Sequence, residues 1–268
     1  MREKVVEATL RALQRAETSL PDWVLKRIEE AAARESHPLA RHHLQFMLEN
    51  VRIAGERGLP LCQDTGLLFF HVQLGRELIL DFSLNEAIAE GVRIATKKIP
   101  LRPNAVHPQT RKNSGDNTGL CMPDIILDYV DGQDLLLTAF PKGAGSENMS
   151  VVGMLNPADD PFDFIVKSVG ERAANACPPL FLGIGLGGSF DQAARLAKRA
   201  LLNMPGASQE ELQLLQRINS LGIGPMGLGG DTTALGIKIE KAFCHTASLP
   251  VAINFQCWAY RSATEVIQ

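Results

Sequence analysis

Glycine is crowded into four short stretches of this chain: NSGDNTG at 113–119, KGAGSEN at 142–148, GIGLGG at 183–188 and GIGPMGLGG at 222–230. Glycine tolerates positive φ and lets backbone approach closely, so each stretch predicts a loop or a tight turn. Loops of this kind present backbone N–H groups that hold anions. So many in one chain imply a site assembled from loops.

The segments around them carry readable periodicity. Residues 1–57 read as helices: Val5, Val6, Ala8, Leu10 and Leu13 recur at helical spacing, Pro21 and Asp22 open WVLKRIEEAAARE, and LARHHLQFMLENVRIAGER follows Pro38 and closes at Gly58. His42 and His43 on the third helix read as packing or surface residues. From Leu61 the texture changes. LLFFHVQLG reads as a strand and DFSLNEAIAEGVRIATKKI as a helix. DIILDYV and DLLLTAF flank Asp131-Gly132-Gln133, which predicts a β-hairpin. PLFLGIGLGG reads as a strand entering a glycine turn, with SFDQAARLAKRALL as the helix after it. Ser208 and Glu211 have capping-box spacing at the head of SQEELQLLQRINSLG, and Gly222 ends it. LGIKIEKAF and PVAINFQCWAY read as strands. The expected fold is mixed α/β (α+β): one domain over 1–268, with a helical segment, 1–57, packed on a mixed-sheet body, 58–268, whose glycine-rich loops form the site.

A net charge of −3 gives no basic footprint for nucleic acid or an anionic membrane. No apolar run is long enough for a spanning helix, and the first residues lack the apolar core of a secretory signal, so the cytoplasm is the expected location. The five cysteines, Cys62, Cys121, Cys177, Cys244 and Cys257, are odd in number and far apart, with no CxxC pair. That pattern suits neither a disulfide framework nor a zinc ribbon. Spacing alone leaves buried thiols or a convergent metal centre as alternatives.

Gly183, Gly185 and Gly188 match GxGxxG between a strand and a helix, with Glu210 and Glu211 at the distance of a ribose-binding acid. Those glutamates open a helix instead of ending a second strand. Gly222, Gly224 and Gly227 repeat the spacing around Pro225, without a clear helix after it. A nucleotide-binding oxidoreductase is therefore the distant alternative. A non-catalytic scaffold with core cysteines is another.

Taken in order, PLCQDTG, LRPNAV, NSGDNTG, FPKGAGSENMS, the Cys177-Pro-Pro ahead of GIGLGGSFDQAA, LGIGPMGLGGDTTALG and HTASLPVAINFQCWAYR resemble the α subunit, or N-terminal catalytic domain, of class I (iron–sulfur) fumarate hydratases and the related L-tartrate dehydratases. The resemblance spans nearly the whole chain. It implies a [4Fe–4S] cluster on Cys62, Cys177 and Cys257, leaving one iron open as a Lewis acid for the reversible hydration of fumarate to L-malate. Cys121 and Cys244 match no ligand position. The resemblance also implies Asp64 as the catalytic proton-transfer group. Gln63, Arg102, Gly145 and His245 would bind the dicarboxylate substrate, Arg102 by a bidentate clamp and Gly145 through its N–H. Lys142, Glu147 and Asn148 would support them, and Asp231, Thr232 and Thr233 receive no role.

Single-chain members carry a further domain with more arginines, a lysine and a threonine base. This sequence has no counterpart of it. The resemblance therefore implies a separate β subunit, an inactive chain without it, and sensitivity to air, and it allows an α–α dimer. Dehydration of L-tartrate is the alternative activity, from a substrate that differs by one hydroxyl.

Overall fold

The computed structural model describes residues 1–268. In chain order the elements are α1 (Arg2–Thr18), α2 (Asp22–Arg34), α3 (Pro38–Arg57), β1 (Leu67–Gly75), α4 (Leu84–Lys98), β2 (Asp124–Val130), β3 (Leu135–Lys142), α5 (Ala144–Glu147), β4 (Val151–Leu155), α6 (Pro161–Arg172), β5 (Leu180–Leu186), α7 (Phe190–Leu202), α8 (Gln209–Asn219), β6 (Ala234–Lys241), β7 (Leu249–Gln256) and β8 (Ala263–Ile267). The mixed α/β class read from the sequence is the one observed. Two compact units interleave along the chain. The first comprises Met1–Pro21, Glu49–Ala144 and Arg261–Gln268; the second comprises Asp22–Leu48 and Gly145–Tyr260. The N-terminal helices are thus divided, with α1 in the first unit and α2 in the second.

The first unit is a four-stranded sheet in the order β2-β1-β3-β8. Alternate residues of a strand share a face. Leu68, Phe70, Val72 and Leu74 of β1 and Leu135, Leu137 and Ala139 of β3 therefore point one way. They pack against Val5, Ala8, Ala12 and Leu13 of α1 and Ala87, Ile88, Val92 and Ala95 of α4. Ser83 caps α4, accepting from the Glu86 N–H at 3.3 Å.

The expected hairpin is absent. β1 lies between β2 and β3, parallel to the former and antiparallel to the latter, with Phe69 opposite both Asp124 and Phe140. The loop after β2 crosses the end of β1. Gly75 N donates to Asp134 O at 2.9 Å, Arg76 N to Val130 O at 2.9 Å and Glu77 N to Gly132 O at 3.1 Å. A Cβ on Gly75 would stand 2.4 Å from Gly132 O, so only glycine admits the crossing. The Asp-Gly turn does reverse the chain. Whether the two strands then adjoin depends on which apolar strand fills the gap, and β1 fills it.

Near its C-terminal end α1 buries Glu17, whose carboxylate accepts from Arg261 Nη1 at 2.8 Å. The two side chains are 0% and 1% exposed. Burial pushes the Glu17 carboxyl up to about 7; Arg261 pulls it down, and the charge of Asp64 adds to the rise.

The second unit holds a sheet in the order β4-β7-β5-β6, with β7 antiparallel to both neighbours and β6 parallel to β5. One face, carrying Leu182, Ile184, Ile253 and Phe255, meets Ile165 and Val169 of α6 and Leu214 and Ile218 of α8. The other face takes α7 directly on its backbone. A Cβ on Gly183 would lie 2.1 Å from Ala197 O, and one on Gly185 would lie 2.0 Å from Ala193 O. These two glycines sit inside β5 and allow a helix to lie against it; in a dinucleotide fingerprint they would shape the turn after the strand. Only Gly187 and Gly188 follow the strand. Helix α8 carries the full capping box of Ser208 and Glu211. Two side chains cover the free edge of β6: Arg27 Nη1 donates to Leu235 O at 2.8 Å, and Glu211 Oε1 accepts from Ile239 N at 2.8 Å. No helix is long and apolar enough to cross a membrane.

Two outcomes are expected. Gly185→Ala forces α7 away from β5 and should cost about 1–3 kcal/mol in urea unfolding. Glu17 holds its proton more tightly folded than unfolded, so stability falls as pH rises from 4.5 to about 7. Melting temperatures across that range should decline with pH, and Glu17→Gln should flatten the slope. An unchanged slope in the variant would exclude Glu17 as its source.

Candidate functional site

In the first unit a bend after α3 carries Cys62, Gln63 and Asp64. Leu61 anchors it: its N–H donates to Glu17 O at 2.8 Å and its carbonyl accepts from Asn50 Nδ2 at 2.9 Å. Cys62 and Gln63 are exposed. Asp64 is fixed by three donors. Its Oδ1 accepts from Gly66 N at 2.9 Å and Asn104 Nδ2 at 3.2 Å, and its Oδ2 accepts from Ala144 N at 2.7 Å. One carboxylate thus ties together its own turn, the 101–106 segment and the junction of β3 with α5.

The same loops bring Arg102 to this bend. Its carbonyl accepts from Thr65 Oγ1 at 3.2 Å and Asn117 Nδ2 at 3.3 Å, while its side chain is exposed. Asn117, 3% exposed at φ 62°, also accepts from Asn104 N at 2.7 Å. Sequence reasoning passed over Thr65, Asn104 and Asn117 as individual residues. Their signal was present: polar side chains within LRPNAV and NSGDNTG, the segments that carry the motif.

In the second unit a 3-10 turn, Ala173–Ala176, leads into Cys177 at φ 56°. Cys257 follows β7. Phe181 of β5 stands opposite Gln256 of β7, so both cysteines emerge at the same end of the sheet. Trp258 N donates to Cys177 O at 3.4 Å across that end. Gly145 adjoins them: a Cβ there would lie 3.7 Å from Cys177 Sγ.

His245 stands elsewhere. Its Nδ1 accepts from Ala247 N at 3.0 Å, and its carbonyl accepts from Ser248 N at 3.0 Å, in a turn that enters β7 at Leu249. At about 3.3 Å per residue, the eight residues of β7 place its two ends roughly 20 Å apart. His245 is therefore at the opposite end of the sheet from Cys177 and Cys257. Asp231 serves the loop: its carboxylate accepts from Ser36 N at 2.9 Å and Ser36 Oγ at 2.6 Å, while Glu35 accepts from Asp231 N at 2.9 Å and Thr232 N at 3.1 Å. Cys121 and Cys244 are exposed and free.

The donor set suits an iron–sulfur group. Cys62, Cys177 and Cys257 form no disulfide, and the first two are exposed and the third half-buried. Gly145 leaves room beside the Cys177 sulfur that a side chain would take. Neither unit gathers three Cys, His, Asp or Glu side chains around one metal-ion position. A cubane does not ask for that, because each thiolate binds a different iron.

A family model described as Fumarate hydratase (Fumerase) matches residues 6–266. A "Putative L(+)-tartrate dehydratase subunit alpha" of Methanocaldococcus jannaschii is 43% identical over 279 residues, covering 99% of this chain and 98% of that protein. The "L(+)-tartrate dehydratase subunit alpha" of Escherichia coli strain K12 is 33% identical, covering 93% of this chain and 86% of that protein. With the match running through every loop described above, this chain belongs to the fumarate hydratase (Fumerase) family of hydro-lyases.

Proposed function

We propose that the chain is the α subunit of an iron–sulfur-dependent hydro-lyase that interconverts fumarate and L-malate in the cytoplasm, its two units together forming one catalytic domain. The observation that carries this reading is the fixed carboxylate of Asp64, held by three N–H donors on a loop that also presents Cys62 and adjoins Arg102. Cys62, Cys177 and Cys257 would ligate a [4Fe–4S] cluster. When bound, such a cluster supplies an iron without a protein ligand, a Lewis acid toward the carboxylate and hydroxyl of the substrate.

The chain's own residues divide the remaining work. The exposed guanidinium of Arg102 takes a substrate carboxylate in a bidentate pair. Gln63 adds an amide donor and Gly145 a backbone N–H. Dehydration removes a proton from the carbon next to a carboxylate and a hydroxyl from its neighbour. Asp64 moves a proton in that exchange, a role supported by the three donors that fix its carboxylate. A separate β subunit supplies the other groups, a reading supported by relatives whose names end in "subunit alpha".

L(+)-tartrate is the second reading, favoured by those same names. The two substrates differ by a hydroxyl, and a site built to bond that hydroxyl rejects the compound lacking it by about 10⁴-fold or more. Anaerobic assay of the chain with its β partner on L-malate and L(+)-tartrate in parallel is expected to give turnover on one of them, together with a visible absorbance that air bleaches. The chain alone should be inactive. Robust turnover without a partner, or a colourless active complex, would overturn the proposal.

His245 enters this reading through a second copy of the chain. It lies at the far end of β7 from the cysteines of its own sheet, and in this reading it meets the substrate beside the cysteine end of a neighbour. The surface around it suits such a contact. Phe243 is fully exposed, and Phe190 and Met154 are 63% and 55% exposed. Gly187 N and Met154 both adjoin Pro250, and Ala242 N donates to Leu186 O, which puts all three apolar side chains at that end. Mixed dimers test this. Cys177→Ser and His245→Asn chains, each inactive alone with the β partner, should recover about a quarter of wild-type activity when refolded together. No recovery would place His245 outside the neighbour's site.

A further inference from the structure

We propose that Arg261, braced from behind by Glu17, is a positioning residue for the proton-transfer loop, holding the backbone of Gly143 and Ala144 in register with the Asp64 carboxylate. This deepens the proposed hydro-lyase reading and rests on it for the role of Asp64.

The geometry lies wholly within the first unit. A Cβ on Gly143 would stand 3.1 Å from Asp64 Oδ2 and 3.6 Å from Arg261 Nη2, so the carboxylate and the guanidinium flank the same peptide. The next N–H in the chain, that of Ala144, donates to Asp64 Oδ2 at 2.7 Å. The other arm of the guanidinium, Nη1, donates to Glu17 Oε2 at 2.8 Å. Glu17 grips the loop a second time, through its carbonyl, which accepts from Leu61 N at 2.8 Å just before Cys62. The Glu17–Arg261 pair thus meets both ends of the arrangement that places Asp64, through the guanidinium at Gly143 and through the Glu17 main chain at Leu61.

Arginine suits this place because its planar fork can face two directions at once. Lysine offers a point charge and cannot reproduce both arms. The pair is a poor device for stability alone: two ions are taken out of water, and Glu17 Oε1 finds no hydrogen-bond partner. Its position between α1, the Cys62 bend and the end of β3 gives it a second role, as the fixed point against which that bend is set.

Two variants, Arg261→Lys and Glu17→Gln, are each assayed in the complex with the β partner, and amide exchange at Ala144 is followed in the same proteins. A displacement of about 1 Å can cost on the order of 100-fold in rate. Arg261→Lys is therefore expected to lower kcat by about 10- to 100-fold with KM little changed. Exchange at Ala144 should quicken while that of β1 stays as in the wild type, and Glu17→Gln should show a smaller shift in the same direction. A lowered melting temperature with kcat and Ala144 exchange both unchanged would overturn the proposal, because a merely structural pair would behave that way. Quickened Ala144 exchange in a complex whose wild-type form has no hydro-lyase activity would uphold the positioning geometry and sink the reaction assigned to it.

Discussion

The second unit depends on how closely α7 can lie on β5. Gly183 and Gly185 leave the backbone carbonyls of Ala197 and Ala193 within about 2 Å of where side chains would otherwise begin. Any larger residue lifts the helix, and with it the packing of Ala193 and Ala197 against Ala252 of β7. Strands β5 and β7 deliver Cys177 and Cys257 to one end of the sheet. The spacing of two glycines therefore underlies the position of two thiols several residues away.

Much of this fold was legible in the sequence. Helices α1, α2, α3, α7 and α8 follow from apolar periodicity and from caps, because those signals are local. So does β1, an apolar run from Leu67 to Phe70 that continues at Val72 and Leu74. The hairpin failed for a physical reason: an Asp-Gly turn fixes a change of direction, whereas strand adjacency is a long-range choice, and β1 occupies the place between β2 and β3. The division into two units was also beyond a linear reading, since three separated segments compose the first.

The candidate site shows the same boundary. Motifs singled out Cys62, Asp64 and Arg102, and folding brings them onto neighbouring loops. They could not reveal that Asn104, Asn117 and Thr65 bind those loops together, since each is an ordinary polar residue until its partner is known. Glu17 and Arg261 lie 244 positions apart and were invisible as a pair. Conversely, the GIGLGG stretch advertised a phosphate loop, yet two of its glycines are accounted for by helix packing.

The free edge of β6 has one more consequence. An outer strand offers unpaired peptide groups that can recruit a foreign strand and seed aggregates. Here Arg27 occupies the carbonyl of Leu235 and Glu211 occupies the amide of Ile239, leaving only the short stretch around Ile237 between them. Few consecutive rungs are left for an incoming chain to template on. Both guards come from helices that pack beside that strand, so the sheet is shielded from intermolecular zippering once α2 and α8 have docked.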